Sequence, residues 1–462
     1  MGAEVTSSTL DRRTIIGMFA AGLGVFVVAN DFTALSVAIP AIEKTFSTDL
    51  TTAQWVINIY AVLFGVFIVT GGKLADMFGR RRIYLFGASI FGLFSLLGGL
   101  ASEPWMLLAC RALMGVGGAL MWPAVLGLTF AVVPEDRAGL AGGLITAVAG
   151  LGNAAGPLLG GVLTDTLGWQ WIFFINVPIA LIGMITLIFA IPKDEAADRQ
   201  ERIDYGGMLL LSVAVLSLLL ALDFGVDLGW TNPSILALFA ISAVFSIAFL
   251  LFERREGDRA LIPKDVMNNL VFSMSALTTL FIAAVFFGAM VYLPQFMTKQ
   301  LDFSAMAAGL GIAPMMFTFA LVSFGSGRVY DALGPKISVS IGILGLVAGM
   351  FLLSRLDAST TYTRLVPGMI ILGIGIAFFY SSITPVAVTA LGSARASLAS
   401  GAIYMVNVAG GALGLGMNTA IVASSATLTE GIGLAFMVNG CLALAGLVVA
   451  LLFISDASRS TG

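Results

Sequence analysis

Histidine is absent from this chain of 462 residues, cysteine occurs only twice, and charged residues make up only 11% of the sequence. Without histidine, neither a Ser–His nor a Cys–His catalytic pair can form. Cys110 and Cys441 both lie inside apolar runs, which argues against a disulfide framework and against a thiolate metal site. The chain also has no G-x-x-x-x-G-K-[ST] loop to hold the phosphates of ATP. We therefore expect no enzyme, no cofactor, no metal site and no energy supply from ATP.

The chain is unusually rich in hydrophobic residues. Hydrophobic residues make up 59% of the chain and the mean hydropathy is +1.02, whereas an average soluble chain is about 25% charged. Because a span needs about 20 mostly apolar residues, the pattern predicts fourteen membrane-spanning helices, from a first near Ile15–Ile39 to a last near Ile432–Ile454. The predicted fold class is an all-α polytopic membrane protein, with the lipid bilayer and not nucleic acid as its partner.

The basic residues predict the orientation of these spans. Of the 23 Lys and Arg residues, eighteen fall on one side of the predicted topology, four on the other, and Arg111 within a span. Because cytoplasmic loops carry the excess of Lys and Arg, both termini are predicted to be cytoplasmic. The predicted location is the inner (plasma) membrane of the cell.

One sequence pattern occurs twice. Gly72–Arg81 and Gly327–Lys336 both fit G-x-x-x-D-x-x-G-x-[RK], and each follows an apolar span. Duplicated halves related by an axis along the membrane normal are a known transporter architecture. The copies lie eight predicted spans apart, so we expect two pseudo-symmetric six-helix bundles with two extra helices inserted between them. The predicted divisions are residues 1–191 for the first bundle, 192–265 for the linkers and inserted helices, and 266–462 for the second bundle.

The two motifs are predicted to lie in cytoplasmic loops between helices. Glycine permits the tight backbone of a short connection, aspartate can face a helix N-terminus, and the basic residues face anionic headgroups. The alternative is a turn that acts only as a topological stop signal, but two copies in register favour a latch that opens and closes during transport. The candidate latch residues are Gly72, Asp76, Gly79, Arg80, Arg81, Gly327, Asp331, Gly334 and Lys336.

Two charged residues are predicted inside the membrane. Asp31 lies well within the first span and Arg111 within the fourth. Such residues are rare in lipid and mark ion or proton paths, and a carboxyl group in a low-dielectric site takes up a proton more readily than in water. We expect Asp31 to carry the proton and Arg111 to tune it. The alternatives are a structural aspartate bonded to Asn30 or to another helix, and an arginine that snorkels to the outer interface.

The fifth predicted span is rich in glycine, with the spacing G-x8-G-x3-G-P-x2-G-G. Glycines four residues apart allow another helix to come close, and proline bends a helix because it removes a hydrogen bond. The alternative to a functional motif is generic helix packing. The residues concerned are Gly143, Gly152, Gly156, Pro157, Gly160 and Gly161.

Polar side chains outside these motifs form a third set. Possible contacts of the substrate or of protons are Asn30, Asp223, Asp227, Tyr292, Gln295 and Asn407. Asp223 and Asp227 fall where the seventh predicted span reaches the outer surface, so an interfacial position without a transport role is the alternative for them.

Five segments of the chain, in order, resemble the major facilitator superfamily, and in particular its fourteen-helix drug:proton antiporters. They are Asp31–Pro40, Gly72–Arg82, Arg111–Ala119, Gly143–Gly161 and Gly168–Pro178. The resemblance covers essentially the whole chain, and in that family the glycine-rich fifth span is tied to export. It implies proton-coupled export of small lipophilic or cationic molecules, such as antibiotics, antiseptics or metabolites, by a protein that works as a monomer.

The chain departs from the family pattern at a few positions. Asn30 stands where the family has leucine, Ser36 where asparagine is common, and Gln170 where arginine is usual. These differences leave the identity of the substrate open. Two other functions also stay open: proton-linked uptake of a small nutrient, and a membrane sensor on a transporter scaffold, for which no long extramembrane domain is predicted.

Overall fold

The computed structural model describes residues 12–48, 50–133, 137–192, 204–256, 260–357 and 359–454. Within these ranges a few side chains, that of Asp227 among them, lie outside the described part. Residues 193–203, in the predicted linker region, also lie outside it. The described chain is almost entirely helical, because a segment in the bilayer core must satisfy its own backbone N–H and C=O groups.

The first half contains seven helices. They are α1 (Arg12–Ala34), α2 (Ile39–Phe46), α3 (Leu50–Phe78), α4 (Arg80–Gly99), α5 (Pro104–Val132), α6 (Ala138–Thr166) and α7 (Gln170–Ala190). The predicted first span is not one continuous helix. After α1 the chain makes a 3-10 turn at Leu35–Val37, and α2 then starts with Pro40 in its first turn. Proline suits this position because it lacks the N–H that the helix interior requires.

The inserted helices and the second half follow. They are α8 (Tyr205–Leu228), α9 (Pro233–Glu256), α10 (Lys264–Met267), α11 (Leu270–Gln300), α12 (Ala305–Gly311), α13 (Ala313–Leu333), α14 (Pro335–Leu353), α15 (Tyr362–Leu391), α16 (Ala396–Ser424) and α17 (Leu428–Phe453). The tenth of the fourteen apolar runs, Ala305–Gly325, predicts a single span, and these bounds are wrong. It divides at Ile312, because Pro314 begins a new helix there, and α13 then continues through the second motif.

Thirteen of the described helices are long and apolar enough to cross a membrane. The predicted span that is absent from these thirteen is the tenth. It corresponds to α13, which has 21 residues but carries Ser323, Ser326, Arg328 and Asp331. These residues lower its hydropathy, so length and composition alone do not identify it as a span.

The repeated motifs lie at helix ends, which corrects their predicted placement in loops. α3 continues through Gly72 to Phe78, and α4 starts at Arg80, so a single residue connects them. That residue, Gly79, has φ +101°, and its counterpart Gly334 has φ +95°. Residues with a Cβ rarely adopt this left-handed backbone. Each motif is therefore a sharp corner between two long helices.

The described residues of the two bundles meet mainly along two helix pairs. α3 packs against α16, and α6 packs against α13. The inserted α8 packs against α3 and α16, and α9 packs against α8. The inserted helices therefore lie beside the α3–α16 contact and not at an arbitrary place on the surface. Large apolar side chains such as Phe189, 83% exposed, cover the outside, as expected for a protein surrounded by lipid.

Candidate functional site

Asp31 and Arg111 form an ion pair inside the first bundle. Arg111 Nη1 lies 2.5 Å from Asp31 Oδ2, and both side chains are 0% exposed. Arg111 therefore does not snorkel to an interface, and Asp31 joins α1 to α5. Removing one partner of such a pair leaves the other charge buried without compensation.

The position of Arg111 follows from a close approach of α3 and α5. Gly115 lies one turn after Arg111, and a Cβ built on it would lie 2.5 Å from the Tyr60 carbonyl oxygen. Small residues permit this contact between helix backbones. One turn before Tyr60, the Val56 carbonyl oxygen accepts a 2.7 Å hydrogen bond from Arg111 Nε. The Tyr60 ring lies against the guanidinium, with its centroid 4.2 Å from Arg111 Cζ.

Two polar residues that the sequence analysis did not single out complete the surroundings of Asp31. Asn176 Nδ2 on α7 donates to Asp31 Oδ1 at 3.0 Å and to Ser95 Oγ at 3.2 Å. Ser95 on α4 donates in turn to the Phe173 carbonyl at 2.8 Å. Both oxygens of Asp31 are thus engaged, one by α5 and the other by α7. The sequence signal for Asn176 is its place in the segment Gly168–Pro178, which carries the family resemblance.

The glycine motif of α6 packs against α1 beside this site. Cβ atoms built on Gly152, Gly156 and Gly160 would lie 2.9, 1.9 and 2.2 Å from Phe26 O, Thr33 Oγ1 and Ala34 O of α1. Gly161 is also buried. Only glycine allows this helix contact, so the predicted packing role of the motif has a specific partner, α1.

Pro157 adds a hydrogen bond to that contact. Because proline has no N–H, the carbonyl oxygen of Asn153, four residues earlier, has no helical donor. Thr33 Oγ1 of α1 lies 3.1 Å from this oxygen and can donate to it. Thr33 comes two residues after Asp31, so the bond ties α1 to α6 close to the ion pair.

The other end of α6 crosses to the second bundle. A Cβ on Gly143 would lie 2.8 Å from the Ser323 carbonyl oxygen of α13, and one on Gly142 would lie 2.2 Å from the Ser381 carbonyl oxygen of α15. One helix therefore contacts both the acid-bearing α1 and the interface between the bundles.

The first motif holds the N-terminus of α16. The Asp76 carboxylate at the end of α3 accepts hydrogen bonds from Ser397 N at 3.3 Å and from Leu398 N at 2.9 Å. Free N–H groups and the helix dipole both favour negative charge at this position. Arg80 Nε donates to Asp76 Oδ1 at 3.0 Å, and Arg80 Nη2 donates to the Ser393 carbonyl of the second bundle at 2.5 Å.

The neighbouring arginine acts within its own bundle. Arg81 Nη1 donates to the Ile191 carbonyl at 2.7 Å, and Arg81 Nη2 donates to the Ile188 carbonyl at 3.1 Å. Both acceptors lie at the end of α7. Arg81 therefore contacts the first bundle and not the second through these bonds.

The second motif repeats the geometry of the first in the opposite direction. Asp331 at the end of α13 accepts from Gly139 N at 2.8 Å and from Leu140 N at 3.1 Å, at the N-terminus of α6. Gly327 allows the contact, since its Cβ would lie 2.2 Å from the Gly139 carbonyl oxygen. Lys336 follows in the first turn of α14. Each bundle thus holds a helix N-terminus of the other with an aspartate.

A protein-family model described as Major Facilitator Superfamily matches residues 21–415 and 276–461. This chain belongs to the major facilitator superfamily. It is accordingly a multi-pass membrane transporter in which two bundles enclose the path of a small molecule.

Named relatives of this major facilitator are resistance proteins. It is 31% identical over 423 residues to multidrug resistance protein Stp of Mycobacterium tuberculosis, covering 91% of this chain and 78% of that protein. It is 33% identical over 397 residues to puromycin resistance protein pur8 of Streptomyces alboniger, covering 85% and 78%. The human organic anion transporter MFSD10 has a similar structure, with a TM-score of 0.72 over 95% of this chain and 99% of that one, at 14% identity. That likeness concerns the fold.

The described members of the third predicted set make separate contacts in this major facilitator. Asn30 is 1% exposed, and its Oδ1 has no partner among the described residues. Asp223 on α8 accepts from Asn58 Nδ2 of α3 at 2.9 Å, so it is a link to the first bundle rather than a purely interfacial acid. The side chain of Asp227 lies outside the described part.

The remaining members of that set lie in the second bundle. The Tyr292 hydroxyl pairs with Thr419 Oγ1 at 2.7 Å, whereas Gln295 is exposed. Tyr380 donates to Asn407 Oδ1 at 2.8 Å. Each of these bonded residues has a partner of its own, and contact of any of them with substrate or protons stays a prediction.

Aromatic side chains join the two bundles near the ion pair. The Trp122 ring of α5 lies 4.8 Å from the Tyr404 ring of α16, and the Phe64 ring of α3 lies 5.5 Å from the same tyrosine. Phe64 also contacts Tyr60, at 6.0 Å between ring centroids. Aromatic faces of this kind bind flat apolar or cationic groups. Because the sequence contains many aromatic residues, it does not show which of them lie at the contact between the two bundles.

Proposed function

We propose that this chain is a proton-coupled exporter of small drug-like molecules, antibiotics among them, in the cytoplasmic membrane. The sealed ion pair of Asp31 and Arg111 carries this proposal, because a buried carboxylate that must lose its partner to take up a proton is suited to coupling. The glycine motif of α6 packs against α1, the helix that carries this acid, and relatives bear the names of resistance proteins.

The coupling cycle starts with both latches closed. The charge asymmetry of the loops assigns the latch end to the cytoplasm, so the closed latches correspond to an outward-facing state. A proton that arrives from outside neutralises Asp31 and releases Arg111. The bundles then rock, the latches open, the proton leaves to the cytoplasm and the substrate binds from there. One chain suffices for this cycle, since the described contacts that form the site lie within it.

Transport in inside-out vesicles tests the proposal. After the membrane is energised, we expect wild-type vesicles to accumulate puromycin or a fluorescent lipophilic cation, and a protonophore to abolish the accumulation. Asp31→Asn removes the titratable group and leaves a polar side chain of the same size, so we expect loss of proton-driven accumulation. Asp165→Asn is the matched control, because Asp165 is an exposed acid at the end of α6, and we expect it to transport normally.

Other outcomes would overturn the proposal. Accumulation that persists in Asp31→Asn would place the coupling acid elsewhere. Movement of substrate in the opposite direction would favour proton-linked uptake, and binding without any net movement would favour a sensor.

A further inference from the structure

The charge of Arg111 must be stabilised at each stage of proton coupling. We take proton coupling through Asp31 from the proposed function, on which this inference rests. When Asp31 is ionised, the two charges compensate each other at 2.5 Å in a site closed to solvent. When Asp31 takes up a proton it becomes a neutral carboxylic acid, whereas an arginine guanidinium stays charged. Arg111 is then a cation in the membrane interior without its counter-ion, which is costly unless other groups stabilise it.

Two groups on α3 are in place to do so. The Val56 carbonyl oxygen accepts from Arg111 Nε at 2.7 Å. The Tyr60 ring lies 4.2 Å from Arg111 Cζ, within the range of a cation–π contact. The Phe173 ring is farther away, at 5.9 Å. Neither α3 group changes charge when Asp31 is protonated, so both remain available.

The ring of Tyr60 is fixed from several directions. It is fully buried and meets Phe32 edge-on at 4.8 Å. The Gly115 contact holds its backbone against α5. Its hydroxyl has no hydrogen-bond partner among the described residues, so a polar bond of the hydroxyl does not explain why the ring lies where it does. Aromatic neighbours thus hold the ring, and its face is presented to Arg111.

We propose that Tyr60 is a positioning residue for proton coupling, whose ring stabilises the Arg111 guanidinium while Asp31 is protonated. In the ion-paired state the carboxylate holds the guanidinium. In the protonated state the guanidinium keeps its contacts with the ring face and the Val56 carbonyl, and these contacts count for more because no carboxylate then compensates its charge. Tyr60 therefore lowers the free energy of the protonated state relative to the ion-paired state.

The groups that face this site from the neighbouring helices are few. From α5 comes Arg111, from α3 the phenol of Tyr60, and from α7 the amide of Asn176. α6 contributes glycine and backbone atoms, and Tyr404 of α16 lies beyond Phe64. Among the described residues, Asp31 is the one carboxylic acid in these contacts.

The test measures the pH at which half of Asp31 is protonated. In purified protein, the infrared band of the protonated Asp31 carboxyl group, identified by its loss in Asp31→Asn, measures this pH directly. In vesicles, the pH dependence of transport gives a second, functional measure of it. Removing the ring in Tyr60→Leu disfavours the protonated state, so we expect both midpoints to move to lower pH by about one pH unit. Tyr60→Phe keeps the ring and removes the hydroxyl, and we expect it to stay close to wild type.

Tyr84 supplies the matched control. It is another fully buried tyrosine of the first bundle whose hydroxyl has no partner among the described residues, and its hydroxyl lies against Gly24 and Gly183 instead of Arg111. Tyr84→Leu creates a comparable cavity, and we expect it to leave the pH midpoint unchanged. If Tyr60→Leu does not fold, phenylalanines with increasing fluorination at position 60 keep the shape and weaken the ring face step by step. We expect the midpoint to fall with each step.

The outcomes separate this inference from the proposed function. An unchanged midpoint in Tyr60→Leu or in the fluorinated series, or an equal shift in Tyr84→Leu, overturns the role of the ring. A shift in Tyr60→Phe as large as in Tyr60→Leu assigns the effect to the hydroxyl and also overturns it. If wild-type Asp31 does not titrate at all while transport continues, proton coupling through Asp31 is wrong, and the inference is overturned with it.

Discussion

The two halves of the molecule have matching latches but different interiors. In the first half, Asn176 of α7 donates to the carboxylate of Asp31. In the second half Asn439 of α17 occupies the corresponding place, since each asparagine is followed by alanine after four residues and glycine after seven. Asn439 Nδ2 instead meets Asn418 Oδ1 at 3.2 Å and the backbone of Gly288, whose Cβ would lie 2.6 Å from it.

The comparison separates two parts of the transport machinery. Asp76 and Asp331 make equivalent contacts, which fits the proposal that both halves carry a latch that parts when the bundles rock. A buried charge is expensive, and the second half has amide groups where the first has an ion pair. Under the proposed function, the coupling chemistry of the described residues lies in the first half, whereas both halves take part in the conformational change.

The largest difference between the halves is expected in stability, when one buried polar side chain is removed from each half. Arg111→Leu leaves Asp31 buried without its counter-ion, and we expect a loss of about 3–5 kcal/mol of stability. Asn439→Leu leaves only an amide of Asn418 unpaired, and we expect about 1–3 kcal/mol. Thermal unfolding of both variants in the same detergent measures the difference.

A double variant controls for loss of shape at position 111. Asp31→Asn with Arg111→Leu removes both charges, so we expect it to be more stable than Arg111→Leu alone. Equal stability of Arg111→Leu and Asn439→Leu would mean that the two interiors do not differ in the way described.

An intermediate effect is expected at the latches, equal in the two halves. Gly72→Ala and Gly327→Ala place a Cβ at 2.5 Å from the Ser397 carbonyl oxygen and at 2.2 Å from the Gly139 carbonyl oxygen. Such overpacking costs about 1–3 kcal/mol, here in the latched state, so we expect both variants to lower vesicle transport to a similar extent. Gly325→Ala is the control, because nothing lies within 4 Å of its Cβ. A strong effect in only one half would break the symmetry of the latches.

Much of this architecture could be predicted from the sequence. Apolar runs identify the helices because backbone N–H and C=O groups in lipid must form hydrogen bonds with each other. The two copies of the motif around Asp76 and Asp331 identify the repeat. The helix breaks at Ile312 and before Pro40 were less visible, since a proline near the end of an apolar run can kink a helix or start a new one. The motifs were assigned to loops because their charge resembles that of a connection, although only Gly79 and Gly334 leave the helix.

The site was predictable where a residue type is rare in lipid. Asp31 and Arg111 stand out for that reason, whereas Asn176 and Tyr60 belong to types that occur at many positions. Which helix faces they share depends on how glycines such as Gly115 bring α3 and α5 together, and that is a property of packing between distant segments.

The smallest effect on stability is expected at Thr33, which donates to the Asn153 carbonyl that Pro157 leaves without a helical donor. Thr33→Val keeps the shape of the side chain but removes its hydrogen bond to the Asn153 carbonyl, and we expect a loss of about 1 kcal/mol. Thr33→Ser retains the hydroxyl and serves as the control. Slower transport in Thr33→Val than in Thr33→Ser would support the bond, and identical behaviour of the two would contradict it.

The inserted helices α8 and α9 make the α3–α16 side of this transporter differ from its other sides. Asp223 and Phe224 of α8 meet Asn58 and Trp55 of α3, and Trp230 after α8 covers Gly416 of α16. A lipophilic molecule dissolved in the membrane on that side meets α8 and α9 before it reaches the seam between the bundles. Under the proposed function, we expect α8 and α9 to screen the α3–α16 seam from lateral entry out of the lipid, and a twelve-helix protein of the same plan to expose that seam.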